Sequence, residues 1–127
     1  RRGRTRQMIT TATLLSNVEH GVPSGRYDGS SLDWYSDVAQ AANYYRGRGG
    51  LQTLTFRVNN FVGRIYVEAT LDTVSETAHW FRTYEYGDDI TPLTDTHPET
   101  IQGNFVWIRL HIVGFDSGTI ESVTISY

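Results

Sequence analysis

The chain has 127 residues, 39% of them hydrophobic, 13% aromatic and 20% charged, with a formal net charge of −3 and no cysteine. That length fits one domain able to remove roughly two-thirds of its unfolded surface from water, and the aromatic content excludes a disordered chain. Disulfides and thiolate metal sites are excluded too, so stability must come from packing and sheet hydrogen bonds.

All eleven basic residues are arginine, and Arg1, Arg2, Arg4 and Arg6 precede the first acid, Glu19. Residues 7–127 hold seven arginines against fourteen acids, so a basic arm is joined to an acidic body. Like charges repel and nothing in residues 1–6 can be buried, so they read as a flexible arm ahead of a single domain at residues 7–127. No apolar core follows Arg1-Arg2-Gly3-Arg4, which argues against a secretory signal; an opening without Met fits a processed, trimmed or excised product. No apolar run approaches the ~20 residues with which a helix crosses a bilayer.

Met8 to Leu15 is rich in threonine and apolar residues and predicts the first strand. Asn17 to Ser31 carries Gly21, Pro23, Gly25 and Gly29 and reads as loop. Leu32 to Tyr45 is ambiguous: Val38, Ala39, Ala41 and Ala42 would suit a short helix, and a strand or irregular edge is the alternative. From Leu51 the alternation is clean. Leu54, Phe56 and Val58 point one way and Thr53, Thr55 and Arg57 the other, and Ile65, Val67, Ala69 and Leu71 repeat the pattern. A period of two means half-buried strands, with a break at Asn59-Asn60 joining them as a hairpin. Thr83 to Thr100 is long and polar, with Gly87, Pro92 and Pro98, and reads as a loop with short strand pieces. Val106, Ile108, Leu110 and Ile112 alternate with Phe105, Trp107, Arg109 and His111, and Ile120 to Tyr127 closes the sheet. Short strands, frequent turn residues and the lack of a sustained helical period predict an all-β, antiparallel β-sandwich. Its expected core holds Phe56, Val58, Ile65, Val67, Ile108, Leu110, Val123 and Ile125, with Gly63 and Gly118 where a side chain is disallowed.

The order of motifs also carries a resemblance. Paired tyrosines Tyr44-Tyr45 and a glycine-rich opening lead into GLQTLTF at 50–56, F-x-G-x-I at 61–65 and VEATL at 67–71. Trp80-Phe81 follows, then GNFVWIR at 103–109, and Phe115-Asp116-Ser117-Gly118-Thr119-Ile120 precedes Val123, Ile125 and Tyr127. This ordered set resembles a β-sandwich module of structural proteins in marine, cyanophage-like tailed bacteriophages, well over residues 44–127 and loosely over 7–43. The resemblance implies an extended segment, a strand or irregular edge, over Leu32 to Tyr45. It also implies a jelly-roll connectivity, a place in the virion, and a role in capsid decoration or in the tail, neck or fibre. The partners implied are other virion proteins, in multiple symmetric copies.

Chemistry offers less. His20, His79, His97 and His111 are scattered, no serine sits in a G-x-S-x-G elbow, and no H-x-x-x-H pair suggests zinc. No enzyme activity and no cofactor are expected, and a polysaccharide hydrolase would need an acid pair that the sequence does not display. Asp88-Asp89, near Glu85 and Asp95, supply oxygen ligands of the kind calcium takes, but solvated turns use the same residues. Phe105, Trp107, Arg109 and His111 share one strand face. Exposed, they would form a protein interface; otherwise another strand or the N-terminal segment covers them as second-layer core. A rival reading displays Trp34, Tyr35, Tyr44, Tyr45 and Trp107 as a platform for a receptor or glycan. The arginine arm suits carboxylate or phosphate, yet the acidic body disfavours DNA and no membrane contact is expected. The arm is expected to be mobile in the free domain and to order on the acidic body of a neighbouring copy.

Overall fold

The computed structural model describes residues 11–42 and 50–127. The expected arm, Met8 at the start of the first predicted strand, and the tyrosines at 44 and 45 lie outside the described residues. The elements in chain order are β1 (Thr11–Glu19), β2 (Trp34–Tyr35), β3 (Ala39–Gln40), β4 (Leu51–Thr70), β5 (Phe81–Gln102) and β6 (Trp107–Ser126), with a 3-10 turn at Ser75–Thr77 between β4 and β5. All strand pairings are antiparallel, in the order β1-β6-β4-β5, with β2 and β3 also on β6.

The long strands form two rows. In the first row β1 pairs with residues 119–126 of β6, which pair with 53–59 of β4, whose N-terminal half pairs with 93–102 of β5. In the second, β2 and β3 pair with 107–112 of β6, and residues 64–70 of β4 pair with β6 on one side and 81–87 of β5 on the other. Register shifts in β4 between Val58 and Arg64 mark the passage from row to row. A bulge there puts Asn60 at φ 52, a left-handed conformation that asparagine tolerates better than most residues. The rows then face each other: the Tyr86 ring of the second stacks 4.5 Å from Phe56 and 5.6 Å from His97 of the first. The result is a β-sandwich made by folding one sheet onto itself.

Each expected core residue is at most 2% exposed. Ile108 is fully buried, so Ile108→Ala is expected to cost about 2–5 kcal/mol in a denaturant titration. One end of the core is aromatic: Tyr27 lies 5.1 Å from both Trp34 and Phe115, and Phe61 lies 5.7 Å from Phe115. Tyr27 pins the loop after β1, since its hydroxyl accepts the Gly21 N–H at 3.0 Å.

Several expectations need correction. Residues 51–70 form one bent strand, because Asn59-Asn60 makes a bulge and the chain does not reverse. The strand ends at Thr70, leaving Leu71 59% exposed instead of inward. Residues 83–100 belong to a strand of 22 residues, β5. It hides from a hydrophobic pattern because it pairs only with β4: Leu93, Asp95, His97 and Glu99 face half inward while Thr94, Thr96, Pro98 and Thr100 face out. An edge position also tolerates Pro98, which has no N–H to donate. The two strands expected at 106–112 and 120–127 are one, β6, and β1 runs on to Glu19, beyond the expected end at Leu15. Leu32 to Tyr45 does contain short strands, β2 and β3.

The exposed Glu19 and Glu121 lie nearer the bend, and the part of the first row's outer face away from it is nearly free of charge. Its cross-strand ladders read Thr11, Ser126, Thr53, Thr100, then Thr13, Thr124, Thr55, Pro98, then Ser16, Ser122, Arg57, Thr96. Hydroxyls meet across the strands, Thr11 with Ser126 at 3.1 Å and Thr53 with Thr100 at 2.7 Å. Arg57 is the one charge among them.

Candidate functional site

The outer face of the second row carries the opposite chemistry. Register aligns Tyr35, His111, Tyr66 and Glu85 in one ladder and Arg109, Glu68 and Arg82 in the next. Arg109 donates from Nε to Glu68 at 2.7 Å, and its guanidinium lies 4.3 Å from the Tyr35 ring centre and 4.4 Å from that of Trp80. Arg82 covers Tyr66 at 3.8 Å, and Arg64 pairs with Glu85 and lies 3.6 Å from Asp89. Glu68 is only 7% exposed, and its carboxylate is tolerable there because Arg109 neutralises it.

Whereas Tyr66 is half-buried, Tyr35 is the exposed aromatic of these ladders, at 39%. Its ring stacks on His111 at 4.2 Å, tilted by 13°. Desolvation holds the His111 imidazolium below its usual pKa, against the pull of Glu68 at 3.7 Å; Arg82 and Arg109 add to the effect of burial. Beside Tyr35, the side chains of Arg26, Asp37, Ser75, Glu76 and Arg109 line a groove of about 650 Å³. Arg26 and Asp37 close an ion pair across its rim at 2.7 Å. Ser36 anchors its floor: the hydroxyl donates to the Asp37 carbonyl and accepts the Leu110 N–H, both at 2.9 Å.

The anticipated platform and interface residues divide. Trp34 is 6% exposed and packs on Tyr27 in the core, because alternation along β2 sends it inward and Tyr35 outward. Trp107 is half-buried, and its indole N–H donates to the Thr73 carbonyl at 3.0 Å, beneath the loop after β4. Phe105 precedes β6 and packs against the core, edge-on to Phe81 at 5.8 Å. Arg109 and His111 do share the outer face. What covers it in part is this loop and Tyr35, which sequence periodicity does not reveal. Glu68 and Trp80 stood in the VEATL and Trp80-Phe81 motifs but not among the expected site residues; the one signal for Glu68 was a lone charge in the VEATL strand.

Asp88 acts as a turn residue, accepting the N–H groups of Ile90 at 2.8 Å and Thr91 at 3.2 Å, which lower its pKa. Asp89 faces Arg64. No cluster of three or more potential metal ligands occurs among the described residues. At the open β5 edge, His97 Nε2 contacts both the Tyr84 hydroxyl and Glu99, each at 3.2 Å. One nitrogen serving both partners is not a relay, which needs the two ring nitrogens engaged separately. Burial, then the Asp95 carboxylate, raises the Tyr86 phenol pKa, so it stays protonated and donates to Asp95. No helix among the described residues is long and apolar enough to cross a membrane.

No protein-family model matches this chain, and no curated protein matches it either.

Proposed function

We propose that this chain is a non-enzymatic structural protein of a tailed-bacteriophage virion, packing against other virion proteins as a capsid decoration or as part of the tail, neck or fibre. The observation that carries the assembly role is the threonine and serine face of the first row. In a chain with 20% charged residues, three four-stranded ladders bearing only Arg57, with Glu19 and Glu121 beyond them toward the bend, are inexpensive to desolvate, as the centre of a protein interface requires. Strands about 4.8 Å apart and residue pairs about 6.7 Å apart give this face about 400 Å². A standard interface takes roughly 800 Å² per partner, so a second contact is needed, and the arginine arm on an acidic neighbour supplies one. The virion setting rests on the ordered motifs from GLQTLTF to the closing strand. A jelly-roll reading is supported by segment order: with β4, β5 and β6 each divided at the bend, alternate hairpins fall into opposite rows, four segments to a row.

The test is particle imaging with the wild-type chain and with Thr13→Arg plus Thr55→Arg, two outward positions separated by the β6 strand. Wild type is expected at defined symmetric positions, and the charged pair is expected to lower occupancy at least tenfold without changing the isolated domain's melting. Deleting residues 1–6 should lower occupancy as well, more so as salt rises. Full occupancy with both charges in place would remove the proposed face from the assembly.

A further inference from the structure

We infer that the groove beside Tyr35 binds an uncharged saccharide chain, with Tyr35 as the stacking platform and Asp37, Glu76 and Arg109 as the hydroxyl-reading groups. Four observations meet here. First, Tyr35 lies against His111 at 4.2 Å and Arg109 at 4.3 Å while remaining 39% exposed. These two contacts hold the phenol in place, so docking a sugar against its exposed part costs little ordering entropy. Second, the size fits: about 650 Å³ lies within the range of small-ligand sites and takes a few sugar rings.

Third, the groove's charges balance. Arg26 and Arg109 stand against Asp37 and Glu76, so neither a polyanion nor a polycation gains a net Coulombic attraction. Paired sugar hydroxyls, by contrast, offer donors to carboxylates and acceptors to guanidinium N–H groups, and both kinds line this groove. Glu68 occupies the Arg109 Nε and fixes the plane in which its remaining donors point. Fourth, the groove is open-ended. A smaller hollow of about 200 Å³, bounded by Leu14, Ser16 and Val18, shares Arg26, Ser36 and Asp37 with it. A chain of sugars can therefore cross the Arg26–Asp37 pair instead of ending there.

The experiment titrates the full chain with neutral hexaoses (cellohexaose, maltohexaose, mannohexaose and a galactan fragment) and with heparin and alginate fragments as charged controls, following ligand shifts by NMR. At least one neutral hexaose is expected to bind below 1 mM, weakening at least tenfold in Tyr35→Ala and in Glu76→Gln but not in Tyr35→Phe. Glu76 lies exposed in the 3-10 turn, so its variant keeps the fold and remains informative if Tyr35→Ala does not fold. No binding of any neutral hexaose at 10 mM would overturn the inference, as would binding that survives both substitutions or a preference for the charged chains. None of these outcomes bears on whether the threonine face docks in a particle.

Discussion

Gln52 shows how one side chain can fasten several segments. Only 1% exposed, it places Nε2 within 3.0–3.1 Å of the carbonyls of Gly50, Ile101 and Gly103, and its Oε1 accepts the Ala42 N–H at 3.1 Å. Gln52→Leu fills the space but strands these groups, and is expected to lower unfolding stability by about 3 kcal/mol in urea. Gln52→Glu should be worse, because a carboxylate oxygen would then face three carbonyl oxygens; equal losses would show that packing, not polarity, sets the position. His111 gives the molecule a pH response of definite sign. Its pKa is lowered by burial, so the unfolded chain takes up a proton first and stability is lost as pH falls below about 6.5. His111→Phe keeps a ring against Tyr35 and should flatten thermal melts between pH 7 and 5.5. A wild type that gains stability on acidification would mean that pairing with Glu68 outweighs desolvation.

Among the elements, the bend is where the chain has least freedom. A Cβ on Gly118 would stand 2.1 Å from the Asn60 carbonyl oxygen, and one on Gly63 would stand 3.0 Å from that of Gly114; both glycines have positive φ, 92° and 149°. Gly118→Val is therefore expected to abolish folding in expression and circular dichroism, and Gly63→Val to weaken it strongly. Wild-type melting of either variant would show that the bend can shift its register. The sequence marked these two glycines, and the alternation through Phe56, Ile65, Ile108 and Val123 placed the core. It misplaced the strand ends because a bulge at Asn60 and a turn share the same residue types, so a strand folded back on itself reads as a hairpin. β5 escaped because an edge strand with polar residues on both faces has no hydrophobic period to detect. The groove was half legible: Tyr35 and Arg109 stood in the candidate sets. Arg26, Asp37 and Glu76 reach it through loops far apart in the chain, and no spacing rule connects them.

At the scale of the molecule, β4, β5 and β6 each belong to both rows, so neither row can open while the other stays intact. The melt is expected to be one cooperative transition, whichever row a spectroscopic probe reports on. The pairing of Thr11 with Ser126 has a mechanical consequence. In the antiparallel pair β1–β6, the start of one strand and the end of the other lie side by side. Tension applied at these two points loads a single ladder rung at a time, and the pair unzips. Tension applied at His20 and Tyr127 instead drags the strands past each other, so the whole ladder must yield together. A chain without cysteine lets each geometry be built by introducing just two thiols as handles. In optical tweezers, handles at positions 11 and 127 are expected to release β1 at a markedly lower force than handles at 20 and 127. Equal forces would mean that the load is borne elsewhere than on this edge.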